Sequence, residues 1–346
     1  MKTALVTGGA GFLGGHLCRQ LLKDGYKVYV LDNLYTGSLD NITDLRKHSD
    51  FYFIRGDVID APELWQKANG IEDVKFDEIY NLACPSSPTR YKSRPVYMAK
   101  ISIFGILNML ELAKKHGAKL LHASSSEVYG DPLVHPQSEN YWGNVNAIGV
   151  RSCHNEGKRV AETLSADYIR ECDVDVRMVR IFNTYGPNMH PHDGRVISNF
   201  IMQALRNEDI SLYGDGAQTR SFQYCDDLIE LFCRYMALPK SAIRNFFGGK
   251  TIEQSGDCAI LTPAVPVINA GNPNEYTIKQ LAEEVLFQLP DSTSRLIYKP
   301  LPRDDPKKRK PDITLARALL DGWEPKVPLR EGLARTIQSI KNRVTS

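Results

Sequence analysis

Lys2 to Thr7 is a short apolar, β-branched run that gives way without a linker to glycines at 8, 11 and 14 and then to HLCRQLLKDG, whose apolar positions recur at helical spacing. The pattern reads strand, tight turn, helix. A second strand follows as YKVYVLD, ending at Asp32, and a third as FYFIRGDV, ending at Asp57 and Val58. DEIYNLAC and KLLHASSSEVYG supply a fourth and a fifth, with a helical stretch from Pro95 to His116 between them. Strands alternating with helices in this way predict an α/β fold built on a parallel, doubly wound sheet.

The glycines carry the first chemical signal. They permit a turn without Cβ clashes and let a pyrophosphate rest against the helix N-terminus, where unpaired N–H groups and the macrodipole favour anions. Asp32 ends the second strand, where a carboxylate binds both ribose hydroxyls and repels a 2′-phosphate, so NAD is expected rather than NADP. Asp57 and Val58 are placed to cap the adenine.

At 346 residues the chain exceeds one typical domain. The expected division is a dinucleotide-binding core over residues 1–180, with residues 181–346 mainly building a smaller lobe and returning in part to the core. Hydrophobic residues at 42% and charged residues at 24% are enough for a buried core. Net charge, 43 minus 41, is +2, which gives no field to attract nucleic acid or an anionic membrane. Seven scattered cysteines with no CxxC pair predict reduced thiols, no metal site and a cytoplasmic protein. No apolar stretch is expected to approach the roughly 20 residues that span a bilayer, so neither secretion nor a membrane anchor is expected.

Beyond the glycine turn, SSSEVYGDPLVHPQSENYWGNVN, EGKRVAE, RIFNTYGPNMHPHDGRVISNF, YGDGAQTRSFQY and DDPKKRKPDI resemble the extended short-chain dehydrogenases that act on nucleotide sugars, and most nearly the UDP-glucuronate decarboxylases. TGGAGFLG is common to that whole superfamily. The others are far more selective, and the resemblance runs through almost the whole chain. It implies a Rossmann-type fold with a smaller C-terminal substrate-binding lobe, bound NAD, a UDP-sugar substrate, and a homodimer built through helices around Pro95 to His116 and 156–171.

Ser126 and Glu127 fall at a strand's C-terminal end, the edge where open α/β sheets bind ligands, and can meet a sugar ring there. Ser-Glu at these positions matches the decarboxylases, whereas related dehydratases carry Asp-Glu and 4-epimerases generally lack the glutamate. By the same resemblance, Arg220 lies near the sugar carboxylate and C4, a bidentate task that suits a guanidinium, and Tyr91 contacts the same carboxylate. Asn183, Arg195 and Asn199 match contacts to the UDP diphosphate and its covering loop, and Arg309 a diphosphate or ribose contact. Pro85 and Tyr213 complete the expected substrate surface, and Phe12, Leu13, Asn33, Leu82 and Ala83 the expected cofactor surface.

Two departures stand out. Residues 239–266 exceed the short connector usual in the family and are expected to form a surface elaboration away from the chemistry. The other departure lies in SCHNEGKRVAE, where His154 occupies the place of the tyrosine expected four residues before Lys158. In the usual arrangement the lysine lowers the phenol pKa and binds the cofactor ribose. An imidazole is able to accept a proton at pH 7, but doing so creates a cation beside Lys158, and the shorter ring stops before the phenol oxygen's position.

Three readings stand for this position: an active decarboxylase with a histidine base, a crippled or merely sugar-binding relative, and an altered residue. The sequence does not choose between them. Were His154 not the base, another group such as Tyr129 would have to serve. A 4-epimerase acting on UDP-glucuronate and a non-catalytic NAD- or nucleotide-sugar-binding protein are the alternatives for the whole chain.

Overall fold

A computed structural model describes residues 1–248, 251–253, 259–261, 263–300 and 308–345. Strands β1 (Thr3–Thr7), β2 (Lys27–Asp32), β3 (Phe51–Arg55), β4 (Glu78–Asn81), β5 (Lys119–Ser125) and β6 (Val176–Ile181) join Val267–Ala270 in one seven-stranded parallel sheet. From one edge to the other the order is Val267–Ala270, β6, β5, β4, β1, β2, β3. Sequence order reverses between β1 and β4, so their C-terminal ends open the crevice where doubly wound sheets bind ligands. This is a Rossmann-type α/β fold.

Helices cover both faces, which is why the strands read as continuous apolar runs. Ala4, Leu5 and Val6 of β1 are all fully buried. On one face, helix α1 (Phe12–Lys23) and the helix Cys225–Ala237 pack Leu17, Leu21, Phe232 and Tyr235 against the sheet. On the other, Ile106, Met109, Leu110 and Ala161 pack against Leu5, Ile79 and Leu120. A third apolar core joins the helices Val196–Leu205, Ile278–Phe287 and Leu329–Thr345 through Phe200, Ile201, Leu281 and Leu333. Two small sheets flank it, with Thr219–Ser221 between Glu275–Thr277 and Lys308–Arg309, and Ile210–Tyr213 beside Leu296–Lys299. The chain crosses back once it has built this part, since Ile268 is registered opposite Val179 of β6.

The structure corrects two expectations. Pro95–His116 is one helix of 22 residues, long and apolar enough to cross a bilayer. Charged residues at Lys100, Glu111, Lys114 and Lys115 break up the run in sequence. In the fold its apolar side is core, with Met98, Ile106, Met109 and Leu110 at most 1% exposed. Its neighbour Ser152–Cys172 approaches closely at Gly157, where a Cβ would meet the Ser102 side chain at 2.7 Å. Nor is the segment 239–266 wholly superficial. Its first part is the helix Lys240–Phe246, and Ile243 and Phe247 are buried in the core. Farther on, Thr251–Glu253 pairs antiparallel with Ala259–Leu261, while residues 249–250, 254–258 and 262 lie outside the described residues.

Candidate functional site

The cofactor half of the site begins where β1 ends. Gly8 adopts φ +72°, and a Cβ there would lie 2.9 Å from the Ala83 nitrogen. A Cβ on Gly14 would lie 2.2 Å from the Gly8 oxygen, so the turn closes on itself only because that atom is absent. Helix α1 then starts with no side-chain cap, and its first N–H groups are left for an anion. At the end of β2 the Asp32 carboxylate accepts from the Ala10 nitrogen at 3.0 Å and the Leu34 nitrogen at 2.8 Å. Burial outweighs these two donors and, with the Asp57 charge nearby, holds its carboxyl above the usual range.

Asn33 donates to Asp57 at 2.8 Å and tethers the second acidic group beside the first. Phe12, Leu13, Val58, Leu82 and Ala83 line the same cleft as the glycines and both aspartates. An NAD fits this donor and glycine set. NAD should therefore bind at least about tenfold more tightly than NADP in calorimetry, and Asp32→Ala should erase most of that difference. Equal affinities in the unaltered protein would remove Asp32 from the ribose.

The other end of the cleft is built on the turn after β5. Ser126–Tyr129 is a single 3-10 turn, capped by the Ser125 hydroxyl, which accepts from the Glu127 nitrogen at 3.2 Å. Glu127 Oε1 accepts from Arg151 Nη2 at 3.0 Å and from Arg309 Nη1. Burial pushes the Glu127 carboxyl up, but the Arg309 and Arg151 charges prevail and hold it at about 2. Glu127 is thus an acceptor and not a proton source near neutral pH. Its Oε2 is buried without a hydrogen-bond partner among the described residues, which leaves a charged acceptor for a sugar hydroxyl.

Several expected substrate residues line this cleft, namely Pro85, Tyr91, Ser126, Glu127, Asn183 and Arg195. Arg195 donates to the Ser86 carbonyl at 3.3 Å and pairs with Asp193 at 3.3 Å. Others are placed elsewhere. Arg309 is 3% exposed, directed to Glu127 and to the Gly130 carbonyl at 2.6 Å, so it is not set for a diphosphate or ribose contact. The parallel pairing of Lys308–Arg309 with Thr219–Ser221 fixes it there, with Arg309 opposite Arg220. Arg220 donates to the Thr219 carbonyl at 2.9 Å and is not among the described residues that line the cleft. Tyr213 is 42% exposed at a strand end, Asn199 donates to the Gly194 carbonyl at 3.3 Å, and neither lines the cleft.

His154 stands on the first turn of Ser152–Cys172, 3% exposed, with its ring stacked on Tyr91 at 5.3 Å between centroids and 26° between planes. Neither ring nitrogen has a hydrogen-bond partner among the described residues, although the ring lines the cleft. One helical turn on, Lys158 donates from Nζ to the Ala123 carbonyl at 2.5 Å, near the end of β5. Tyr129 is no substitute base. It is fully buried away from the cleft, donates to Asn269 Oδ1 at 2.7 Å, and burial pushes its phenol far up.

Two site residues escaped the sequence reading. Arg151, just before the helix, clasps Glu127, and Cys84, just after β4, lines the cleft beside His154 and Lys158. The only signal for Cys84 was its place at the end of DEIYNLAC, at the ligand edge of the sheet.

The family described as GDP-mannose 4,6 dehydratase matches residues 5–336, and the chain belongs to it, as an extended short-chain dehydrogenase. Within that class, UDP-glucuronic acid decarboxylase 4 of Arabidopsis thaliana is 48% identical over 340 residues, 98% of this chain and 69% of that one. UDP-glucuronic acid decarboxylase 1 of Xenopus tropicalis is 45% identical over 343 residues, 99% of this chain and 73% of that one. Among solved structures, the UDP-glucuronic acid 4-epimerase of Bacillus cereus in complex with UDP-glucuronic acid and NAD is similar at a TM-score of 0.80 and 27% identity, covering 99% of both chains.

Proposed function

We propose that the protein is a NAD-dependent UDP-glucuronate decarboxylase that forms UDP-xylose through a 4-keto sugar. The observation that carries this reading is the likeness to UDP-glucuronic acid decarboxylases over 98% of the chain. The cleft supports it, with a dinucleotide cradle at one end and Ser126, Glu127 and His154 together at the other. NAD, when bound, supplies the acceptor for the C4 hydride and later gives it back.

The protein's own groups do the rest. His154 takes the proton of the C4 hydroxyl, and Glu127 Oε2 orients a ring hydroxyl as a fixed carboxylate. Oxidation at C4 places the C5 carboxylate β to a ketone, so carbon dioxide leaves and its electron pair flows into that carbonyl. C5 then takes up one proton from solvent, and His154 returns its own proton to the C4 oxygen. Lys158 donates to the Ala123 carbonyl and lines the same cleft one helical turn from His154, where it would bind the cofactor ribose.

Incubation with UDP-glucuronate should release one carbon dioxide per sugar nucleotide consumed and yield a product lighter by that mass. A product of full mass with inverted C4 would make the protein a 4-epimerase. Saturable binding without product or transient NADH absorbance would make it a nucleotide-sugar-binding protein. The proposal extends to a cytoplasmic homodimer, docked through Pro95–His116 and Ser152–Cys172. Val96 and Phe104, 70% and 50% exposed on the first of these, are the apolar groups for that contact.

A further inference from the structure

The far end of the chain returns to the cofactor half of the cleft. The helix Leu329–Thr345 is anchored in the core by Leu333, Ile337 and Ile340, and its last turns reach the rim beside the glycine turn. Arg343 there lines the same cleft as Gly11, Phe12 and Asn41. It donates from Nη2 to Asn41 Oδ1, across 302 positions of sequence, and from Nη1 to the Asn188 carbonyl at 3.2 Å. Both acceptors are themselves fixed. Asn41 is 4% exposed and donates to the carbonyl of Ala10, within the glycine turn, at 2.9 Å. Asn188 adopts φ +67°, and its nitrogen donates to the Ser339 hydroxyl at 3.1 Å, one helical turn before Arg343.

This clasp has no counter-charge of its own. Of the arginines that line the cleft among the described residues, Arg151 pairs with Glu127 and Arg195 with Asp193. Arg343 is partly buried and grips two neutral oxygens, and no carboxylate among the described residues forms an ion pair with it. The Asp40 charge acts on it only from a distance, and that carboxylate accepts from the Ser38 hydroxyl at 2.8 Å. A cation taken partly out of water without an anion is costly. The helix macrodipole accounts for a basic residue in the last turn, but not for two hydrogen bonds into the wall of a cleft.

We infer that Arg343 is a cofactor-binding residue whose guanidinium supplies the counter-charge to the NAD diphosphate, so that the C-terminal helix completes the cradle begun by β1 and α1. The glycine turn and the uncapped start of α1 offer a diphosphate only N–H groups, while Asp32 and Asp57 add negative charge to this half of the cleft. A guanidinium offsets both anionic partners at once. Because Asn41 and Asn188 already hold the planar fork, little of its freedom is left to lose when the anion arrives.

A sugar nucleotide carries a diphosphate too, so the test separates the two ligands by calorimetric titration. Arg343→Gln keeps a donor for Asn41 and removes the charge. Its affinity for NAD, and for ADP-ribose, which retains the diphosphate, should fall at least about tenfold, the loss expected for a charged hydrogen bond. Affinity for UDP, and for adenosine, which has no phosphate, should stay as it was. Arg343→Lys keeps the charge and loses the fork, so it should hold NAD better than Arg343→Gln does.

Unchanged NAD affinity in a folded Arg343→Gln overturns the inference. A loss confined to UDP does so as well, since it gives the arginine to the sugar nucleotide, and an equal loss for adenosine makes Arg343 a structural clasp. Should melting curves show that Arg343→Gln does not fold, Arg343→Lys decides: near-normal NAD affinity supports the counter-charge, and a tenfold loss overturns it. Failure of the decarboxylase reading leaves the inference standing, because binding is read without turnover.

Discussion

Gly14→Ala should cost the protein its NAD, with affinity falling by about a hundredfold or more, equivalent to about 2.7 kcal/mol. The added methyl carbon would sit 2.2 Å from the Gly8 oxygen and 2.6 Å from the Gly9 Cα, and both are backbone atoms of the turn itself. No flexible side chain is there to give way. Relief requires the turn to open, and that withdraws the N–H groups at the start of α1 from the pyrophosphate position. Titration of NAD by calorimetry would measure the loss, and far-ultraviolet circular dichroism with a melting curve would show whether the sheet survives. Near-normal affinity in a folded Gly14→Ala would mean that the pyrophosphate does not rest on this turn.

That half of the site was legible because it is local. β1, the glycines, α1 and Asp32 fall within thirty residues, and each obeys a spacing set by backbone geometry alone. The first five strands of the sheet were legible for the same reason, since they alternate with helices at readable periods, whereas Val176–Ile181, the sixth in sequence, was not read as a strand. The arginines were not. Arg309 reaches Glu127 across 182 positions, through a two-residue strand whose register depends on Thr219–Ser221 and Glu275–Thr277. Strands of two or three residues carry no readable alternation, so the direction of an arginine on one of them is decided by pairing and stays invisible to sequence.

The same difference explains the Arg220 outcome. A motif match fixes that an arginine is present beside Ser221, but the strand places Arg220 next to Arg309, and it is Arg309 that turns inward to Glu127. Arg151 escaped for a simpler reason, since a charged residue just before a helix is usually solvated. Pro95–His116 was legible as a helix but not as an apolar stretch of bilayer-spanning length; a core helix needs only one apolar face, and Lys100, Glu111, Lys114 and Lys115 are exposed.

His154→Phe should lower the rate of C4 oxidation by about 10²–10⁴-fold, the usual contribution of a positioned general base. Phenyl keeps the stack on Tyr91 and the packing of a site only 3% exposed, so UDP-glucuronate and NAD should still bind. What disappears is a pair of ring nitrogens that are buried and without a partner among the described residues, on a ring that lines the cleft. His154→Tyr should act in the other direction. A phenol projects farther from the same backbone position, past the Tyr91 ring, and Lys158 four residues on is already buried and oriented to stabilise a phenolate. A phenolate becomes neutral on taking the proton, where an imidazole becomes a second cation, so the tyrosine variant should oxidise C4 faster than the natural protein. Transient NADH absorbance after rapid mixing with UDP-glucuronate measures all three proteins. If the phenylalanine variant loses nothing and the tyrosine variant gains nothing, position 154 is not the base. Tyr129 cannot take its place, because it is buried against Asn269 and Arg180, and the search for a proton acceptor would then turn to Tyr91.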